Sequence, residues 1–159
     1  MIAPSLAATL TWLVMLPPGL ALAGQLFFGW SSDRTRERLW HTVIPMAAGA
    51  IGLAAAVWSR GSLALTVICF MIAAAGLKAY LPSFWSLPSI FLAGSAAAGS
   101  IGLINSIGNL GGFLGPFLVG SVEALTGSFE SGLLFLSVSS ALGALTVFLL
   151  GIGRRETPR

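Results

Sequence analysis

The sequence has very few charged residues. Only 8% of its 159 residues are charged, with 8 Lys and Arg against 5 Asp and Glu. A soluble domain carries roughly 25% charged residues, so an ordinary water-soluble enzyme is excluded. Disorder is excluded as well, because disordered segments are polar and rich in charge. Since 56% of the residues are hydrophobic, the composition indicates an integral membrane protein.

Residues that carry chemistry are equally scarce. A single Cys excludes a disulfide framework and a Cys-based zinc site. The sequence contains no nucleophile–base arrangement, phosphate-binding loop or dinucleotide fingerprint, so we expect no enzymatic activity, no cofactor and no metal. The few basic residues fall in two short clusters, whereas a nucleic-acid-binding face needs many phosphate contacts on one surface. We therefore expect no nucleic-acid partner.

Long charge-free stretches locate the membrane spans. A helix needs about 20 apolar residues to cross roughly 30 Å of hydrocarbon. Pro82 and Pro88 interrupt the longest apolar region near its start. We predict an all-α integral membrane protein with about five transmembrane helices, at residues 10–30, 42–58, 62–81, 92–118 and 132–151.

Arginines in the short loops predict the orientation of these helices. Three arginines lie between residues 34 and 38, and three more lie between residues 154 and 159. Loops rich in Lys and Arg remain cytoplasmic, and the four spans between the two clusters agree with a shared side. We expect a multi-pass protein of the bacterial inner membrane, embedded in the lipid bilayer, with the basic loop and the C-terminal tail in the cytoplasm.

The loop after the first span carries the first candidate site, formed by Gly29, Asp33, Arg34 and Arg38. Gly29 allows two helix ends to approach closely. Asp33 is placed to face the N-terminus of a neighbouring helix and to pair with an arginine. Two interpretations remain open: a solvated loop whose arginines only set topology, or a cluster that holds one conformation closed.

This Gly-x-x-x-Asp-Arg-x-x-x-Arg pattern resembles the loop motif of the major facilitator superfamily. Residues 32–41 resemble its anion:cation symporter branch, which contains permeases for phthalate, tartrate and related organic anions. Residues 82–92 and 102–116 resemble the penultimate-helix region of the same branch. At Arg36 the family usually has glycine, and arginine is not expected to adopt the left-handed conformation that glycine allows.

The resemblance implies that the five spans correspond to helices 8 to 12 of a twelve-helix transporter. Residues 1–159 would then form part of the C-terminal six-helix half, with the N-terminal half absent. It also implies a small organic anion as substrate and a coupling cation, with protons favoured. The competing hypotheses are a truncated remnant or small interaction protein that does not transport, and a channel assembled from several copies.

The fourth span contains the second candidate site. Asn105 and Asn109 are four residues apart and share one helix face, and Ser106 is adjacent. Small residues at Ala98, Gly102 and further along continue the stripe, which permits close helix contact. The two amides either bond a neighbouring helix or hydrogen-bond a substrate carboxylate in a central cavity.

Two further residues complete the predicted substrate pathway. Lys78 lies within a span, where an ionisable residue is a functional candidate by default. Its position near the predicted cytoplasmic end makes extension of its ammonium to the interface equally reasonable. Trp85 belongs to the aromatic residues near span ends, and it is the one that we also consider for substrate gating. His41 is assigned to the membrane interface rather than to proton transfer.

Overall fold

Five long helices dominate the computed structural model, which describes residues 4–59, 61–92 and 94–154. The long helices are α1 (Pro4–Thr35), α2 (Leu39–Trp58), α3 (Leu63–Ala79), α6 (Gly94–Thr126) and α7 (Phe129–Leu150). Two short helices, α4 (Leu81–Ser86) and α5 (Pro88–Phe91), join α3 to α6. The described part of the chain contains no strand, so the predicted all-α fold is confirmed.

Five segments are long and apolar enough to cross a membrane: Thr11–Thr35, Leu39–Trp58, Leu63–Ile90, Gly94–Thr126 and Phe129–Leu150. The predicted number of spans is therefore confirmed, although several boundaries differ, most of all the ends of the third and fourth spans. The third span continues through the short helices that begin around Pro82 and Pro88. The fourth span reaches Thr126, where Gly127 ends it in the left-handed conformation (φ +67) that glycine adopts without strain.

The centre of the bundle is the crossing of α2 and α3. The two helices pack extensively against each other, and α1 packs against α3 while α7 packs against α2. A Cβ atom at Gly76 would overlap the backbone nitrogen of Gly49 and the carbonyl oxygen of Pro45. The crossing is therefore a backbone-to-backbone approach that only glycine permits at position 76.

Serine side chains join α7 to α2. The hydroxyl of Ser137 donates to the carbonyl of Ala50 at 2.8 Å, and that of Ser140 donates to the carbonyl of Met46 at 3.1 Å. Hydroxyl-to-carbonyl bonds of this kind hold neighbouring helices together where water is absent.

Helix α6 stands apart from this bundle. It packs mainly against α7, where a Cβ at Gly132 would meet the Cγ1 of Val119 at 2.8 Å. None of its residues is buried. The remaining four long helices thus form the packed body, and α6 contributes a long exposed surface beside it.

Candidate functional site: the loop junction and the polar face of α6

We use the name loop junction for residues 29–41 together with Gly153, because these residues meet where α1 ends and α2 begins. Gly29 lies on the last turns of α1 against α4. A Cβ at this position would lie 3.2 Å from the Cβ of Pro82, which is tighter than ordinary contact. The absence of a side chain at Gly29 thus allows α4 to approach α1 closely.

Asp33 and Arg38 form the ion pair of the loop junction. Nη1 of Arg38 lies 2.6 Å from Oδ1 of Asp33 and donates to the hydroxyl of Ser32 at 3.0 Å. The Ser32 hydroxyl donates in turn to the carbonyl of Glu37 at 2.7 Å. Ser32 is fully buried, whereas the Asp33 side chain is 72% exposed. The pair is thus open to water on one side and anchored to the buried serine on the other.

Arg36 contradicts the expectation from sequence. Its φ is +52, and it is the single non-glycine residue with positive φ in the described part of the chain. The residue directly follows the last turn of α1, where a left-handed residue commonly ends a helix. The junction thus imposes on an arginine a conformation that glycine adopts more readily. In L-residues other than glycine this conformation costs roughly 1–2 kcal/mol.

Arg34 lies outside the ion pair. Its guanidinium carbon stands 5.5 Å from the ring centre of Trp30 on the preceding turn, a cation–π arrangement. Of the two arginines predicted for the site, Arg38 binds Asp33 and Arg34 stacks on an exposed tryptophan.

The N-terminus of α2 is capped by residues that the sequence did not reveal as important. Both carboxylate oxygens of Glu37 accept backbone N–H bonds, from Trp40 at 2.8 Å and from His41 at 3.3 Å. Nδ1 of His41 lies 2.8 Å from Glu37, and its Nε2 lies 3.0 Å from the hydroxyl of Ser31. An acid just before a helix was the available signal, because carboxylates favour helix N-termini. Glu37 therefore caps the start of α2.

The segment that follows α7 contacts the loop junction through Gly153. The carbonyl of Gly153 accepts the N–H of Arg38 at 2.8 Å and that of Leu39 at 3.1 Å. A Cβ at Gly153 would lie 2.7 Å from the Cδ2 of Leu87 and 2.8 Å from the Cβ of Arg38. No local pattern could have found this contact, because it joins residues from opposite ends of the chain.

The second candidate site lies on the exposed surface of α6. Asn105, Ser106 and Asn109 are all exposed, and a Cβ added at Gly102 or Gly112 would meet nothing within 4 Å. The Ser106 hydroxyl donates back to the carbonyl of Gly102 at 2.8 Å. Within the described ranges neither carboxamide bonds another helix, so the interhelical role considered for them is not realised inside this chain.

Lys78 and Trp85 lie on other elements. Lys78 is exposed in the last turn of α3. Trp85 is half-buried on α4, with its ring centre 5.4 Å from that of Phe84. Because the asparagines are exposed on α6, the structure does not enclose these four residues in one site. The described residues also include no group of three or more His, Cys, Asp or Glu side chains placed to hold a metal ion.

Comparison with known proteins gives clear relatives. The chain is 39% identical over 143 residues to a protein named tartrate transporter from Agrobacterium vitis, which covers 89% of this chain and 31% of that protein. It is 42% identical over 121 residues to the metabolite transport protein NicT of Pseudomonas putida, and the alignment covers 76% of this chain and 28% of that protein. It is 34% identical over 139 residues to the inner membrane transport protein RhmT of Escherichia coli, and the alignment covers 87% of this chain and 32% of that protein.

These relatives define the class: the chain is a multi-pass membrane protein related to bacterial transporters. More particularly, they confirm the resemblance to the major facilitator superfamily, in its anion:cation symporter branch. The chain spans about 31% of the length of the first relatives that it matches. No protein-family profile matches it, and no solved structure does.

Proposed function

We propose that this chain forms part of a secondary transporter that moves organic anions together with a cation, with protons as the favoured coupling ion. The observation that carries this proposal is the polar face of α6, on which Asn105 and Asn109 are exposed and unbonded within the described residues. Unsatisfied polar groups in hydrocarbon cost several kcal/mol each. Such a face is stable only beside further protein, water or a polar ligand.

The chemistry of this face suits a carboxylate. Each carboxamide offers two N–H donors and one carbonyl acceptor. Because Asn105 and Asn109 lie one turn apart on the same face, both can donate to one anionic group. Hydrogen bonds to a charged acceptor are the stronger kind. In the proposed transporter, α6 lines the central cavity, and segments outside this chain supply the opposite wall.

The loop junction then serves the conformational change rather than substrate recognition. The Asp33–Arg38 pair and the Gly153 carbonyl both hold the start of α2. Any motion of α2 away from α1 or from the C-terminal segment must break these bonds. In the proposed orientation this junction lies on the cytoplasmic side, because its arginines belong to the basic loop.

The test is substrate affinity in a full-length transporter containing this segment, reconstituted in vesicles with labelled tartrate or another small carboxylate. Asn105→Ala and Asn109→Ala should each raise the apparent Kd about 10- to 150-fold, since loss of a hydrogen bond to a charged group costs about 1.5–3 kcal/mol. Ser121→Ala is the matched control, because this hydroxyl lies on α6 outside the candidate site and donates to the carbonyl of Phe117 on its own helix. It should leave the affinity unchanged.

Normal affinity combined with lower stability in both asparagine variants would assign them to helix packing instead. The competing hypothesis of a remnant that does not transport predicts no saturable, gradient-dependent uptake by any assembly containing this chain. Uptake of the labelled carboxylate into the same vesicles distinguishes the transporter from the remnant, because a correctly inserted protein that does not transport contradicts the proposal.

A further inference from the structure

A cleft of about 600 Å³ opens beside the loop junction. It lies between the end of α1, the start of α2, α5 and the segment that follows α7. Three arginines line it, Arg36, Arg38 and Arg154, and Asp33 is the one acidic residue among them. Ile90 of α5 adds an apolar wall. The cleft thus combines a strongly basic lining with a small hydrophobic surface.

The charges in this cleft do not balance. Asp33 is bound to Arg38 at 2.6 Å, which neutralises one of the three guanidinium groups. Over the described ranges, Arg36 and Arg154 form no ion pair and no hydrogen bond. The left-handed backbone at Arg36 (φ +52) places this residue in the cleft lining. Two uncompensated guanidinium groups therefore face a shared space, which favours an anion.

The position of the cleft selects the kind of anion. The apolar spans of α1, α2 and α7 all end at this level, at Thr35, Leu39 and Leu150. Trp30, near the end of α1, and Trp40, at the start of α2, are 59% and 46% exposed, as expected for tryptophans in the headgroup region of a bilayer. The cleft therefore lies where lipid phosphates are concentrated.

We propose that this cleft binds the phosphate group of an anionic phospholipid. Guanidinium groups bind phosphate in a bidentate, charge-assisted geometry, and basic pockets beside membrane helices bind anionic headgroups. Arg36 and Arg154 hold the phosphate oxygens, and Ile90 packs against the glycerol and upper acyl region. Because Arg38 is already bound to Asp33, it offers the phosphate no free fork of donors. The same phosphate chemistry in water, as free inorganic phosphate, lacks the apolar contact.

The experiment is native mass spectrometry of the purified 159-residue chain released from detergent, titrated with phosphatidylglycerol, phosphatidylcholine or inorganic phosphate. We expect one tightly bound phosphatidylglycerol and at least about tenfold weaker binding in the double variant Arg36→Gln/Arg154→Gln. Phosphatidylcholine and inorganic phosphate should bind much more weakly to the unmodified chain. Thermal melting of each variant in detergent establishes that the fold is retained.

Arg34→Gln is the matched control. It removes one positive charge two residues from Arg36, but its side chain stacks on Trp30 outside the cleft. It should change phosphatidylglycerol binding by less than about twofold, because the Arg34 guanidinium does not line the cleft and cannot hold the phosphate oxygens. An equal loss in Arg34→Gln would show diffuse attraction to basic residues and overturn the proposal. Equal binding of phosphatidylcholine, or displacement of the lipid by inorganic phosphate, would overturn it as well.

Discussion

Replacing Arg36 with glycine and, separately, with alanine isolates the effect of the left-handed backbone at the end of α1. Both variants lose the same charged side chain, so they differ only by one Cβ atom. A Cβ in the left-handed region costs roughly 1–2 kcal/mol. The greater freedom of glycine in the unfolded chain offsets part of this, about 0.5–1 kcal/mol. Arg36→Gly should therefore be more stable than Arg36→Ala by roughly 1 kcal/mol.

The same two substitutions at Arg34 are the control, and there the glycine variant is expected to be the less stable of the two. Arg34 lies in the last turn of α1 and has helical backbone, where glycine is about 0.8–1.0 kcal/mol less favourable than alanine. Arg34→Gly should thus be less stable than Arg34→Ala. The assay is the free energy of unfolding from titration with a denaturing detergent in mixed micelles. If the two pairs of variants show the same order, the left-handed assignment of Arg36 is wrong.

The remaining predictions concern glycines and the ion pair. Gly76→Ala should lower the free energy of unfolding by about 1–3 kcal/mol through overpacking against α2. Gly108→Ala on exposed α6 should leave it unchanged or raise it. Equal effects of the two substitutions would refute the close crossing of α2 and α3. Gly153→Ala should be more damaging than Gly61→Ala in the same titration, because both have φ near +85 (+86 and +84) but only Gly153 has neighbours within 4 Å. Equal losses would show that backbone strain alone matters. Asp33→Asn should slow transport in a full-length transporter at unchanged substrate affinity, and abolished binding in a correctly inserted protein would contradict the proposed role of the loop junction.

The number of spans and the pairing of Asp33 with an arginine could be predicted from sequence because both depend on local information. Charge-free length defines a span, and an acid in a short arginine-rich loop has oppositely charged neighbours, although only the structure selects Arg38 among the three arginines. The conformation of Arg36 could not be predicted, since intrinsic preference disfavours it and tertiary contacts decide it. The Gly153 contact was also out of reach, because two backbone N–H groups of α2 bond a carbonyl at the far end of the chain.

Small residues show why helix packing in a membrane is difficult to predict from sequence. They permit close contact, but they do not specify which helix supplies it. At the α2–α3 crossing the close-packed partner belongs to the same chain, because Gly76 touches the backbone of α2. On α6 the same signal at Gly102 and Gly112 meets open space. Hydropathy cannot distinguish the two cases, since lipid and a neighbouring apolar helix are equally hydrophobic surroundings.

The difference between these two sets of glycines bears directly on function. A helix that faced lipid on all sides would have no use for paired asparagines, because each unsatisfied amide is costly in hydrocarbon. Asn105 and Asn109 lie on the same exposed helix as the uncontacted glycines. Close-packing residues and hydrogen-bonding residues together suit a surface that is partly covered by protein and partly open to a polar ligand. That combination supports a place for α6 at the wall of a transport cavity, and it makes the affinity of the two asparagine variants the most informative measurement on this chain.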